Sequence, residues 1–289
     1  MIPDKVQAWC IETGHGEITA SRPVGGGCIN NGTWLKTASG MTFFLKTNSH
    51  APADMFAREA EGLQELRAPG GKPIPQEPKV PEPLLWGQDY LLLEDLNPAP
   101  RREAYWSDFG RQLAFLHGHT RPQFGFDHDN YIGSTPQPNP WTGSGYGFFA
   151  EQRLVFQARL AHGRGLLSGE ELGQAERLAG RLPDLIPDQP ASLLHGDLWS
   201  GNALTDSQGS PALIDPAAHY GWAEADLAMT ALFGAFPDDF YQGYKEARPL
   251  EQNFRERFPI YNLYHLLNHL NLFGRGYLGE VIAILRKFV

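Results

Sequence analysis

The stretch Leu193-Leu194-His195-Gly196-Asp197-Leu198-Trp199-Ser200-Gly201-Asn202-Ala203-Leu204, followed by Ala212-Leu213-Ile214-Asp215-Pro216, decides how this chain is read. Apolar residues flank a polar, glycine-containing centre, the pattern of short strands that hold a loop between them. Asp197 precedes Asn202 by five residues, and Asp215, at the end of an apolar triplet, follows Asn202 by thirteen. Phosphoryl transfer asks a protein for these residue types: a base near the attacking hydroxyl, and hard oxygen ligands for Mg²⁺ beside the phosphates. A plain turn, with Asp197 and Asn202 bonding their own backbone, explains any one of them better than it explains the set. A hydrolytic triad of Ser200, His195 and Asp197 fits poorly, because the serine lacks a GxSxG elbow and its partners lie too close in sequence.

Upstream, Gly25-Gly26-Gly27-Cys28-Ile29-Asn30-Asn31-Gly32 lies between two expected strands, and Lys46 closes Phe43-Phe44-Leu45-Lys46. Amides of a glycine-rich hairpin can rest on a polyphosphate, and a lysine on the neighbouring strand can reach the same phosphates. The run is neither a Walker A loop, since Thr33 stands where Lys is required, nor a Rossmann fingerprint, since no helix follows. Asn31-Gly32 is equally a plain hairpin turn. The helix expected over 53–67 carries Met55, Phe56, Ala60, Leu63 and Leu66 on one face. Glu59 shares that face and is expected to pair with Lys46, whereas Glu61 and Glu65 read as solvated charges. Glu94, Asp95 and Leu96 follow the strand at 90–93 and form an expected link between lobes, where backbone groups can read an adenine edge; a simple strand-to-loop transition fits as well.

The 289 residues are 42% hydrophobic and 20% charged, and the net charge of −9 has the wrong sign for nucleic acid as a partner. No apolar run approaches the ~20 residues of a membrane span, and the first residues show no basic region followed by an apolar stretch. A cytoplasmic protein with no membrane partner is expected. Cys10 and Cys28 fit no disulfide framework or zinc site. Strands are expected at 17–24, 32–37, 41–47, 84–86 and 90–93, and a proline-rich loop at 68–78. Helices are expected at 103–119, 145–162 and 168–182, with a final pair within 253–289. The fold class is therefore α+β, with a small antiparallel-sheet lobe over 1–95 and a larger, mainly helical lobe over 96–289. His117 and His119 read as cations at a helix C-terminus, and Asp226 as a charge at a helix start. His265 and His269, without HExxH, read as core or surface histidines.

The Asp197–Asn202 spacing matches the HxDxxxxN catalytic loop of kinases, and Ile214-Asp215-Pro216 sits where the metal-binding Asp of a DFG segment would sit. The chain resembles the fructosamine-3-kinase and ketosamine-kinase family, in the aminoglycoside-phosphotransferase-like branch of the protein-kinase fold. The likeness rests on Gly25-Gly26-Gly27-Cys28-Ile29, on Phe56, Glu59, Ala60, Gly62 and Leu63, on Phe124-Gly125-Phe126-Asp127-His128-Asp129-Asn130-Tyr131-Ile132-Gly133 and Thr135-Pro136-Gln137-Pro138-Asn139, and on the loop quoted first. Trp199-Ser200-Gly201 and the segment 124–133 are its narrowest marks.

The resemblance implies a bilobal protein-kinase-like fold that phosphorylates the sugar 3-hydroxyl of ketosamines, free or protein-linked, with ATP and Mg²⁺; the product is unstable, so the amine is deglycated. It implies Asp197 as base, Asn202 and Asp215 as metal ligands, and Lys46 with Glu59 as a phosphate clamp. It further implies Gly25, Gly26 and Gly27 at the ATP phosphates and Glu94, Asp95 and Leu96 at the adenine. His195 and Asp226 would support the catalytic loop, and Trp199, Trp222, Asp127, Asn130 and Tyr131 would lie toward the acceptor. Ala223 stands where a basic residue is common in the family, which leaves the acceptor preference open. An acidic protein suits an ammonium-bearing acceptor, but an aminoglycoside or choline as well as a ketosamine. A homoserine-type kinase of the same fold and a nucleotide-binding pseudokinase are the other readings; the intact lysine, base and metal ligands argue against the last. Cys28 is a candidate redox residue, since a disulfide between the loops of two chains would cross-link a dimer and deform the nucleotide site. Monomer and homodimer are both compatible with the sequence.

Overall fold

Alternate residues of the first third write two faces of one sheet. The computed structural model describes residues 2–25, 30–71 and 76–289. After helix α1 (Asp4–Glu12), strands β1 (Ile18–Val24), β2 (Asn31–Thr37) and β3 (Thr42–Thr47) form an antiparallel meander; α2 (Met55–Arg67) follows, and β4 (Pro83–Trp86) and β5 (Tyr90–Glu94) complete a five-stranded sheet in the order β1-β2-β3-β5-β4. Side chains of a strand point alternately to opposite faces. Leu35, Phe43, Leu45, Tyr90 and Leu92 therefore pack with Val6 and Cys10 of α1, whereas Leu91 and Leu93 join Phe56, Ala60, Leu63 and Leu66 of α2 in the main core. Lys46 follows Leu45 and is turned by the same parity to the α2 side. The expected strands and the 53–67 helix agree with the structure to within two residues; α1 was not expected, because only Val6 and Cys10 are buried along it.

The remaining chain is mainly helical. Its elements are α3 (Tyr105–Leu116), β6 (Thr120–Arg121), the hairpin β7 (Asn130–Ile132) and β8 (Thr135–Gln137), α4 (Gly145–Phe149), a π-helical turn (Ala150–Val155), α5 (Phe156–Gly163), α6 (Gly169–Gly180) and α7 (Leu182–Leu185). Then come β9 (Ala191–Leu194), a 3-10 turn (Ser200–Asn202), the hairpin β10 (Ala203–Thr205) and β11 (Pro211–Leu213), β12 (His219–Gly221), α8 (Ala223–Met229), α9 (Asp238–Ala247), α10 (Phe254–Phe273) and α11 (Leu278–Phe288). β9 lies between β6 and β12, antiparallel to both. The helix expected over 145–162 is interrupted by the π-helical turn, within which three successive residues, Arg153, Leu154 and Val155, are buried. Among the described residues no helix is long and apolar enough to cross a membrane.

Helix α9, absent from the sequence expectations, docks on α3 at backbone contact distance. A Cβ on Gly110 of α3 would stand 1.9 Å from the Phe240 carbonyl oxygen, and one on Gly243 of α9 would stand 2.0 Å from that of Ser107. Phe109 and Phe240 pack edge to face beside this crossing, with ring centroids 5.4 Å apart. Gly110→Ala and Gly243→Ala are each expected to lower unfolding free energy by about 1–3 kcal/mol through overpacking, measured by equilibrium denaturation; wild-type stability in both would show that the helices can part at no cost.

Candidate active site

The loop between β9 and β10 is held from beneath by a buried carboxylate. Asp226 of α8 accepts the His195 amide at 2.7 Å through Oδ2 and the Gly196 amide at 2.8 Å through Oδ1. Gly196 has a left-handed φ of +81°, and a Cβ there would stand 2.2 Å from the Ala217 carbonyl oxygen, so the residue has to be glycine. The His195 ring meets the Ile214 carbonyl at 2.9 Å through Nε2, which must donate to that oxygen; Nδ1 is then free to accept the Asp197 amide at 3.3 Å. Burial opposes the charge on Asp226, but His117 together with the loop amides outweighs it and holds the carboxyl below the usual carboxylate range.

His117 is where the sequence reading is corrected. The residue is fully buried and engaged with another helix rather than serving as a cation for the helix C-terminus: Nε2 lies 3.2 Å from Asp226 Oδ2, and Nδ1 lies 2.8 Å from the Tyr244 hydroxyl. Burial pushes its pKa down, which favours the neutral ring, with Nε2–H donated to the carboxylate. The signal was present in spacing, since His117 falls four residues after Leu113 and eight after Phe109, both on the buried face of α3. His119 contacts Glu77, and His265 is a core residue.

Above the loop, residues from both parts of the chain converge. Lys46 of β3 contacts Glu59 of α2 and reaches Asp215 Oδ1 at 2.5 Å. Burial alone would lower the Lys46 pKa, but the carboxylates of Asp215 and Glu59 outweigh it and keep the ammonium charged. Asn202 Nδ2 donates to the Asp197 carbonyl at 2.8 Å and to its Oδ2 at 3.2 Å, and lies 3.5 Å from the Asp215 carbonyl. Asp197 is half-buried, and desolvation, reinforced by the charge of Asp215, pushes its pKa up to about 7 against the Asn202 hydrogen bond. Asp215 holds a left-handed φ of +58°, uncommon for a residue with a side chain. An amide oxygen and a carboxylate, Asn202 and Asp215, make a hard-oxygen pair of the kind that serves Mg²⁺ when phosphates and water supply the rest.

The other expected site residues are placed unevenly. The Trp199 ring folds back over Gly201, where a Cβ would stand 2.3 Å from it, and Ser200 Oγ donates to the Phe233 carbonyl at 2.9 Å. Asp127 is exposed and accepts from Trp141 Nε1 at 3.3 Å, and Tyr131 donates its hydroxyl to Asp54 at 2.7 Å. Trp222 and Asn130 do not face an acceptor: they are 3% and 5% exposed, Trp222 packed among Phe124, Tyr146, Phe149 and Tyr261, and Asn130 bonded inside the protein. Membership of a motif segment, as for Asn130, or a position shortly after the loop, as for Trp222, does not distinguish a residue facing the site from one behind it.

Glu94 is engaged through its side chain with Lys79 at 2.6 Å and with the Glu82 amide at 3.1 Å; Asp95 accepts from Trp34 Nε1 at 2.7 Å, and Leu96 is 9% exposed. Glu61 and Glu65 are bonded rather than merely solvated. Glu61 pairs with Arg58 at 2.6 Å and His128 at 3.1 Å, and Glu65 accepts the Tyr220 hydroxyl at 2.7 Å. Gly25 follows β1; Gly26, Gly27 and Cys28 lie outside the described residues.

This combination of sheet, helical part and loop is a bilobal protein-kinase-like fold of the phosphotransferase kind. An aminoglycoside phosphotransferase structure shares it with a TM-score of 0.62 at 16% identity, over 99% of each chain. The chain belongs to the fructosamine kinase family, whose description matches residues 1–289. It is 42% identical to a "probable ketoamine kinase" of Synechocystis over 93% of this chain and 90% of that one. It is also 36% identical to a chloroplastic protein-ribulosamine 3-kinase of Arabidopsis thaliana, over 100% of this chain and 89% of the relative. A crystal structure of a "putative fructosamine-3-kinase" from Thermobifida fusca matches with a TM-score of 0.86 at 34% identity, covering 99% of this chain and 98% of that one.

Replacing Asp226 by Ala leaves two loop amides and His117 without their acceptor. Asp226→Ala is expected to cost about 3 kcal/mol or more of stability, read as a fall in the denaturant midpoint; an unchanged midpoint would show that the loop is anchored by other contacts.

Proposed function

We propose that this phosphotransferase uses ATP to phosphorylate the sugar 3-hydroxyl of a ketosamine, the step that leads to deglycation of the amine. The carrying observation is the meeting of Lys46 and Glu59 with Asp215, Asn202 and Asp197, one set from the sheet part and one from the helical part. The names of the relatives, probable ketoamine kinase and protein-ribulosamine 3-kinase, support the acceptor class. On this reading residues 1–95 form the nucleotide-binding lobe and residues 96–289 the catalytic and substrate-binding lobe.

The reaction this arrangement serves is displacement at the γ-phosphorus. The acceptor hydroxyl oxygen forms the new P–O bond, its proton passes to the Asp197 carboxylate, and the bond to the β-phosphate oxygen breaks to release ADP. Lys46, held by Glu59, offers its ammonium to the phosphates. Asn202 and Asp215 would hold Mg²⁺, which supplies charge neutralisation on the β- and γ-phosphates. Glu94, Asp95 and Leu96 would present backbone to the adenine, and Trp199, Asp127 and Tyr131 remain the candidates on the acceptor side.

The test is Mg²⁺-dependent ADP release measured in parallel with a ribulosamine, a fructosamine, an aminoglycoside and choline. Turnover confined to the ketosamines is expected. Turnover only with the aminoglycoside or choline would overturn the acceptor class, and ADP release from none, with ATP still bound, would favour a pseudokinase. Asp197→Ala is expected to reduce kcat by about 10²–10⁴-fold while ADP binding, followed by calorimetry, stays intact; near-normal turnover would remove Asp197 from the role of base.

A further inference from the structure

A chain of buried amides runs behind the site and ends on the backbone that follows Asp215. Its far end is Arg153 in the π-helical turn, 1% exposed, whose hydrogen-bond acceptors are all neutral: the Pro138 carbonyl at 2.7 Å, the Gln152 carbonyl at 3.1 Å and Asn139 Oδ1 at 2.7 Å. Its guanidinium lies over the Phe148 ring, 4.5 Å from the centroid. Asn139 Nδ2 donates to Asn130 Oδ1 at 2.9 Å, and Asn130 Nδ2 donates to the Ala218 carbonyl at 2.8 Å. Gln137 Nε2 donates both to Asn130 Oδ1 at 2.7 Å and to the Ala217 carbonyl at 3.1 Å, while its Oε1 accepts the Tyr264 hydroxyl at 2.6 Å.

The direction of this chain is fixed at both ends. A guanidinium can only donate and a backbone carbonyl can only accept, so every amide between them has one permitted orientation. Arg153 turns the Asn139 oxygen toward itself; the Asn139 nitrogen then faces the Asn130 oxygen, and the Asn130 nitrogen faces Ala218. The segment so held is confined elsewhere too. The Ala217 amide donates to the His195 carbonyl at 2.9 Å, and a Cβ on Gly62 of α2 would stand 3.3 Å from the Ala218 Cβ. Asp215, with its left-handed backbone, is thus followed within three residues by two carbonyls clamped by side-chain amides.

We propose that Asn130 and Gln137, oriented by Arg153 through Asn139 and by Tyr264, are positioning residues that hold the backbone after Asp215 so that its carboxylate faces the metal and phosphates. The proposal rests on the reading of Asp215 as a Mg²⁺ ligand. It assigns the buried side chains of Asn130 and Gln137, at the two ends of the β7–β8 hairpin, to the metal side of the site.

The test is a Mg²⁺ titration of ADP binding by calorimetry, which needs no turnover, on wild type, Asp215→Ala, Asn130→Asp and Gln137→Met. Asn130→Asp keeps the shape but sets an oxygen against the Ala218 carbonyl; Gln137→Met removes both of the donors on Gln137. Each relay variant is expected to raise the half-saturating Mg²⁺ concentration about tenfold, with ADP affinity in EDTA unchanged. An unaltered Mg²⁺ requirement in folded relay variants, with Asp215→Ala impaired, would overturn the relay alone. An unaltered requirement in Asp215→Ala would overturn the reading beneath it, and the proposal with it. Loss of cooperative unfolding in both relay variants would replace positioning by a purely structural role.

Discussion

Two backbone N–H groups ending on one buried carboxylate hold the centre of this molecule. The His195 and Gly196 amides have left the β9 ladder and have not reached the 3-10 turn, so without Asp226 they would be buried donors with no acceptor. Because Asp226 sits in α8, and His117 brings α3 and Tyr244 of α9 onto the same carboxylate, the loop takes its position from the helical core. The order of dependence runs from helix packing to carboxylate, from carboxylate to loop, and from loop to Asp197 and Asn202.

The sheet contributes through parity. One residue's difference along β3 separates Leu45, packed against α1, from Lys46, turned toward Glu59 and Asp215. The ammonium is therefore delivered by the same alternation that builds the apolar faces. It joins a carboxylate from α2 to one from the segment after β11, and α2 is pressed on that segment where Gly62 meets Pro216 and Ala218.

The sequence spoke clearly wherever chemistry and periodicity lie in consecutive residues. The Asp197–Asn202–Asp215 spacing, the strands of the first third, the helix carrying Glu59, and the pairing of Glu59 with Lys46 are all local patterns and all agree with the structure. Contacts between distant segments were less legible. Asn130 belongs to a motif segment and Trp222 lies four residues before Asp226, yet the Trp222 ring and the Asn130 amide are buried in the interior, a direction fixed by how α8 and the β7–β8 hairpin pack. His117 was misread for the opposite reason: its helical position was visible, but the choice between solvent and Asp226 depends on a helix more than a hundred residues away. Helix α9 does carry an apolar face, with Phe240, Tyr241 and Tyr244 buried, but its backbone-level approach to α3 at Gly110 and Gly243 is a contact between distant segments that no local pattern shows.

That last contact restricts what this chain can carry at two positions. Where two helices touch through side chains, an enlargement on one can be absorbed by a reduction on the other, and the pair can wander through many compatible combinations. At the α3–α9 crossing the opposing atoms are main chain, the Phe240 and Ser107 carbonyls, which no substitution can shrink. Neither glycine has a compensating partner, so enlargement at each position is opposed independently of what happens at the other. The restriction falls on residues with no chemistry of their own, yet His117 and Tyr244, which brace the carboxylate beneath the loop, come from the two helices that meet there.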